Sequence, residues 1–264
     1  MHSAVTEDGE DGFGHWHLSR MRRPYRTRGF QGIQTRHCVP GFDEPSPWDE
    51  ERKMCIKIRR KPPVVPTCFV PSCPEDFVGQ AGKVAEVLMR KAERLRTNPD
   101  QPLKLLVSGA PGIGKTSLVN LIARTLASHP VAIEDVNGKE VGLELAREWT
   151  RSLAYGSLFG SWSVKVVNEL DRCSKDAQDM LLTYLDRMRP GHAFLGTTNL
   201  ALGSLTERFQ TRFQSVRLQP PENEVLAAFL ARRWAVPIAT TRMIAAGAAG
   251  NVRAAMADLE MWLG

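Results

Sequence analysis

Val84, Val87, Leu88 and Ala92 recur at helical spacing, which predicts an amphipathic helix over about 80–96. Leu103 to Ser108 is a short apolar run of strand length, followed by a glycine-rich stretch and a second helical pattern from about Lys115 to Ser128. Further strands are expected at about 131–135, Ser163 to Val167, Ala193 to Thr197 and Val216 to Leu218, with helical segments between them. Such alternation argues for an α/β fold in which helices cover both faces of a parallel sheet. Beyond Pro220 and Pro221 the pattern becomes wholly helical, over about 222–234, 237–247 and 251 to the C-terminus, broken at Pro237, Gly247 and Gly250. The expected organisation is an irregular arm at 1–73, a sheet domain at 74–219 and a small three-helix lid at 220–264.

The arm has no sustained periodicity, and prolines from Pro45 to Pro74 punctuate its second half. Between Arg20 and Arg36 it carries six arginines and no acid, interleaved with Tyr25 and Phe30. That pattern suits either a contact that tracks a nucleic-acid strand or a solvated tail. The formal charge of +6 is compatible with a polyanionic partner. No apolar run approaches the roughly 18–20 residues of a membrane helix, so no membrane partner is expected. The N-terminus is acidic and does not resemble a secretory signal, which predicts a cytoplasmic address, or a nuclear one in a eukaryote. Five cysteines without a CxxC pair read as free thiols, and His15, His17, His37 and Cys38 lack the second paired motif that a zinc site requires.

Chemistry concentrates in two places. Gly109-Ala110-Pro111-Gly112-Ile113-Gly114-Lys115-Thr116, followed by Ser117, matches GxxxxGK[ST] between a predicted strand and a predicted helix. In that context backbone N–H groups curl around phosphate oxygens and the helix N-terminus adds about half a positive charge. Lys115 reaches the β and γ phosphates, and the Thr116 hydroxyl coordinates Mg²⁺. The expected ligand is therefore ATP with Mg²⁺. About fifty residues on, the strand Ser163 to Val167 runs into Asn168-Glu169-Leu170-Asp171, placing polar oxygens at a strand's C-terminal end, where open α/β sheets bind ligands. Glu169 is the candidate catalytic base and Asn168 a candidate metal ligand that keeps an oxygen but lacks the charge of Asp. A helix-start cap is the alternative role for Glu169 and Asp171.

From about Pro74 onward these signatures resemble an AAA+ ATPase, and within that class a clamp-loader small subunit of the replication factor C kind. The resemblance implies a P-loop NTPase with a five-stranded parallel sheet and a three-helix lid. Pro74-Glu-Asp-Phe-Val78-Gly79-Gln80 is similar to the segment that clasps adenine, which assigns Val78 to the nucleotide. Glu134-Asp-Val-Asn137-Gly138 resembles the turn after the second strand, and Asn168-Glu169-Leu-Asp171 the Walker B region, where some clamp-loader subunits also carry Asn. Gly196-Thr-Thr198-Asn199 resembles sensor 1, implying that Asn199 addresses the γ-phosphate or the attacking water. Phe209-Gln-Thr-Arg212-Phe213 resembles the segment that lends an arginine finger to a neighbour, with Arg208 as rival. Gly250-Asn251-Val252-Arg253 resembles sensor 2, which assigns Arg253 to the nucleotide. The implied partners are copies of itself or related AAA+ subunits in a ring or spiral, DNA, and a sliding clamp or helicase. Arg147 and Arg151 are candidates for tracking a DNA backbone. The helical collar that clamp loaders carry after the lid is not part of the sequence given, and a helicase loader, a branch-migration-type motor or an ATP-gated scaffold are the alternatives.

Overall fold

Five strands form one parallel sheet in the order β2-β3-β4-β1-β5: Leu103–Ser108 (β1), Ile133–Asn137 (β2), Ser163–Asn168 (β3), His192–Thr198 (β4) and Gln214–Arg217 (β5). The computed structural model describes residues 66–155, 160–199 and 205–264. The arginine-rich stretch and the His15, His17, His37 and Cys38 group lie outside the described residues.

The helices are Gln80–Thr97 (α1), Lys115–Leu126 (α2), Leu143–Ser152 (α3), Lys175–Arg187 (α4), the single turn Glu207–Gln210 (α5), and Asn223–Trp234 (α6), Ile238–Ala248 (α7) and Val252–Leu263 (α8). Along the central strands, side chains alternate between two buried layers. Leu105, Val107, Val164, Val166, Ala193 and Leu195 meet α1 and α2 on one face. Leu106, Val167 and Phe194 meet Trp149 of α3 and Tyr184 of α4 on the other. Strands buried on both faces read as continuous apolar runs, and this is why β1 and β4 stand out in the sequence. The edge strands β2 and β5 are half exposed and correspondingly less regular.

Two details depart from the periodicity. The buried stripe of α1 is Ala81, Ala85, Leu88, Met89, Ala92 and Leu95, while Val87 faces solvent at 61% exposure. Small alanines carry the close approach of α1 to α2, and their weak hydrophobicity hides the stripe. β2 begins at Ile133 rather than 131, because Pro130–Ala132 closes a 3₁₀ turn capped by the His129 side chain.

The last three helices pack around a core of their own, with Leu226, Leu230, Trp234, Ala245, Ala255 and Leu259, and Val78 joins it. Residues 66–79 run along this layer. Phe69 meets Trp234 edge-on at 5.6 Å, and the Arg233 guanidinium sits 4.7 Å over the Phe69 ring. Asp76, 5% exposed, takes main-chain N–H groups of Ser72 at 2.9 Å and Cys73 at 3.2 Å, and pairs with Arg233 at 3.4 Å. Of the cysteines, Cys68 and Cys73 are accessible to different degrees and Cys173 is buried, all as free thiols, while Cys38 and Cys55 lie outside the described residues. No described helix is long and apolar enough to cross a membrane.

Candidate nucleotide-binding site

The site grows out of the end of β1. Residues Gly109 to Gly114 turn the chain from strand into α2, whose first residue is Lys115. The turn depends on backbone that side chains disfavour. Gly112 lies at φ 77, and a Cβ on it would sit 1.9 Å from the Asn251 Oδ1 atom. Gly114 lies at φ 96 and serves as the N-cap of α2. The loop is thus a main-chain cradle at a helix N-terminus, a shape that suits phosphate. Ala110 and Pro111 are exposed at its tip, and Ile113 is buried beneath it.

Lys115 is only 6% exposed, and its ammonium folds back to donate to the Ala110 carbonyl at 2.7 Å. Burial holds its pKa below the ordinary lysine value, Arg253 adds to that effect, and Asp171 and Glu169 oppose it. These four side chains therefore share one electrostatic field although they come from α2, α8 and the β3–α4 connection. Beside the loop, a cleft of about 250 Å³ is lined by Phe69, Val70, Pro71, Thr116, Ser117 and Asn120 among others. An apolar flank with hydroxyls on one wall suits a base and ribose.

At the end of β3, Asn168 donates through Nδ2 to Asp135 Oδ1 at 2.7 Å and accepts from Thr197 Oγ1 at 3.3 Å. Glu169 follows in a left-handed conformation, φ 54 and ψ 51, and its N–H donates to Thr197 Oγ1 at 3.1 Å. Its carboxylate accepts from Arg172 at 2.7 Å and from Asn137 Nδ2 at 3.4 Å. Arg172, then Asn137, hold that carboxyl below the usual carboxylate range, so it is ionised at neutral pH. Asn199, at the end of β4, donates its main-chain N–H to Asp171 Oδ1 at 3.4 Å.

The last helix closes over the loop. Asn251 caps α8 by accepting from the Ala254 N–H at 3.1 Å, and the Arg253 N–H donates to the Gly112 carbonyl at 3.1 Å. The Arg253 main chain thus meets the glycine loop that leads into Lys115 and Thr116, while Asn168, Glu169 and Asp171 lie at the end of β3, where Asp171 accepts from the Asn199 N–H.

Of the other sequence-assigned residues, Val78 is 6% exposed and lines a second cleft with Phe77, Gly79 and Phe229, which borders the glycine loop, since a Cβ on Gly114 would lie 3.6 Å from the Phe77 ring. Arg212 forms a forked pair with Asp186, at 3.2 Å and 3.3 Å, and its remaining amino group donates to Arg208 O and Thr211 Oγ1. Arg147 is exposed and paired with Glu144 at 2.6 Å. Sequence reasoning gave Phe69 to Pro71 to the arm, and it singled out the segments Glu134 to Gly138 and Gly196 to Asn199 without a role for Asp135, Asn137 or Thr197. The apolar trio before Ser72 was the one available signal for the first group; the other three depend on strand neighbours.

The residues fit a magnesium nucleotide on their chemistry: a glycine cradle that a Cβ would fill at Gly112, a buried lysine, and hard oxygen donors at Thr116 and Asn168. Comparison with known proteins bears on the same region. Residues 105–221 match the ATPase family associated with various cellular activities (AAA). The chain is 30% identical over 146 residues to the Holliday junction branch migration complex subunit RuvB of Saccharopolyspora erythraea, a match covering 55% of this chain and 39% of that protein. It is 31% identical over 128 residues to the corresponding subunit of Thermobifida fusca, covering 47% of this chain and 33% of that one. The chain therefore spans about two fifths or less of these relatives. The solved structure of the Thermotoga maritima RuvB Holliday junction branch migration motor shares the fold, with TM-score 0.57 and 21% identity over 71% of this chain and 62% of that one. Residues 105–221 of this chain thus carry an AAA-type ATPase match on a P-loop NTPase fold.

Proposed function

We propose that this protein hydrolyses ATP and uses the energy to remodel DNA as one subunit of an AAA+ assembly, in the manner of a branch-migration-type motor. The observation that carries the reading is the glycine loop that ends β1 and opens α2, with Lys115 buried against it and donating to the Ala110 carbonyl at 2.7 Å, supported by the likeness to RuvB subunits. The division into an arm at 1–73, a sheet domain at 74–219 and a lid at 220–264 is part of this proposal.

In this mechanism the loop amides and Lys115 bind the phosphates, and the cleft beside Phe69 and Thr116 takes the base and ribose. Thr116 and Asn168 would hold Mg²⁺, which neutralises phosphate charge when bound. Glu169 accepts a proton from, or orients, the attacking water, a role for which an ionised carboxylate is suited. Its pairing with Arg172 and Asn137 keeps that carboxylate engaged until a substrate competes for it. Arg212 is paired with its own chain's Asp186, and the resemblance of its segment to an arginine finger assigns its contribution to a neighbouring subunit's nucleotide. Arg253 couples the same chemistry to the last helix through the Gly112 contact, and its rotation transmits the nucleotide state.

The test is steady-state ATP hydrolysis with no DNA, with a four-way junction and with a primed template, alongside Glu169→Gln. Junction-stimulated turnover that falls by about 10² to 10⁴ in Glu169→Gln supports the reading. Stimulation by primed DNA alone favours a clamp-loader-like role, the reading that Asn168-Glu169-Leu-Asp171 suggests. Tight nucleotide binding with no turnover under any condition leaves an ATP-gated scaffold.

A further inference from the structure

The amide of Asn168, at the end of β3, is hydrogen-bonded to a neighbour on each side. On β2, Asp135 Oδ1 receives its Nδ2 at 2.7 Å. On β4, Thr197 Oγ1 donates to its Oδ1 at 3.3 Å. An ionised carboxylate only accepts hydrogen bonds, so Asp135 fixes which end of the amide faces it. The Thr197 hydroxyl is committed in the same sense, because it accepts the Glu169 N–H at 3.1 Å and so has its own proton left to give to Asn168. In the order β2-β3-β4-β1, the oxygen end is thereby turned toward β1, whose last residue leads into the glycine loop.

We infer that Asp135 is a positioning residue for the nucleotide site: it holds Asn168 with its oxygen toward the phosphate-binding loop and carries, one strand away, the negative charge that Asn168 lacks. The pair works as one unit of a single charge, an amide at the metal-facing position and a carboxylate behind it. An asparagine alone has two nearly isosteric ends, and a turn of 180° about χ2 would offer NH₂ to a cation. Asp135 makes that turn unfavourable. A partner that orients a ligand in this way typically contributes about 10- to 100-fold to metal affinity.

This inference rests on the reading of Asn168 as a magnesium-facing residue of an ATP site. The experiment measures binding of a fluorescent ATP analogue to the full chain in Mg²⁺ and in EDTA, together with the thermal midpoint without nucleotide, for wild type, Asp135→Asn, Asn168→Asp and the exchanged double variant. Asp135→Asn should keep its fold and its affinity in EDTA, and lose the Mg²⁺-dependent gain by about 10-fold or more. Asn168→Asp sets two carboxylates at hydrogen-bond distance and should melt lower than wild type. The exchanged pair, Asp135→Asn with Asn168→Asp, restores one carboxylate and one amide and should recover both the midpoint and the Mg²⁺ dependence. A folded Asp135→Asn with the wild-type Mg²⁺ gain overturns the inference alone, as does an exchanged pair no better than Asn168→Asp. A wild type that fails to bind the analogue, or binds it equally in EDTA, overturns the nucleotide reading and the inference with it.

Discussion

The main-chain N–H of Arg253 donates to the carbonyl of Gly112 at 3.1 Å, so the first turn of the last helix is tied directly to the phosphate-binding loop. Phosphate entering the loop must move, or be felt by, the helix. Gly112→Ala should sever this link, because the new Cβ would meet Asn251 Oδ1 at 1.9 Å and the backbone sits at φ 77, a strain of about 1–2 kcal/mol for a residue with a side chain. Loss of ATP-analogue binding is expected, with a lower thermal midpoint. Adding Asn251→Gly removes the clash at a capping cost of only a few tenths of a kcal/mol, and should return part of the midpoint while leaving the φ strain.

Arg212 is held by Asp186 within its own chain. In the assembled protein, Arg212→Ala should lower turnover by about 10³-fold or more while ATP-analogue affinity is unchanged. Mixing Arg212→Ala with Lys115→Ala subunits should recover activity, since each supplies what the other lacks. A mixture that assembles and stays inactive would assign Arg212 to the intrachain ion pair alone.

Asp76 answers a different question, that of how residues 66–79 stay on the last three helices. Its carboxylate is almost fully buried, and its partner Arg233 has a side chain 25% exposed. Asp76→Ala removes the carboxylate that pairs with that cation beside the Phe69 ring, a loss of about 3 kcal/mol. Urea unfolding of the single variant, and of Asp76→Ala with Arg233→Met, separates the two contributions: the double variant should be the more stable.

His192 opens β4 and is 8% exposed. Burial holds its imidazole below the ordinary value, with Lys165 and Arg189 adding to the effect and nearby carbonyls opposing it. The unfolded chain therefore binds a proton that the folded chain refuses. Its contribution to stability is complete above about pH 6.5 and is lost as pH falls through the folded-state value. Denaturation followed from pH 7.5 to 5 should show declining stability, and His192→Gln should flatten that decline.

Local grammar made the central unit readable. The β1 strand, the glycine loop and the start of α2 are contiguous, and each residue type there answers to its own backbone geometry. The roles of Asp135, Thr197 and Asn137 were illegible for the opposite reason: these residues meet Asn168 and Glu169 only because β2, β3 and β4 are neighbours in the sheet, and no spacing along the chain encodes that adjacency. Val78 carried a family resemblance, and its side chain both packs on the apolar core of the last three helices and lines the cleft that Phe77 shares with the glycine loop. Phe69 to Pro71 lie in a proline-broken stretch without periodicity, and their position beside Thr116 is set by the Phe69–Trp234 contact and the Asp76 network rather than by any secondary structure of their own.

Glu169 occupies a left-handed conformation, and Gly138 packs so tightly on its carbonyl that a Cβ there would approach within 2.2 Å. A glycine at position 169 would relax the backbone by about 1 kcal/mol or more. A library screened for heat resistance should therefore enrich Glu169→Gly, and one screened for turnover should discard it. The position where the two selections disagree most sharply would mark, without any substrate being known, a side chain that serves turnover at the expense of the fold.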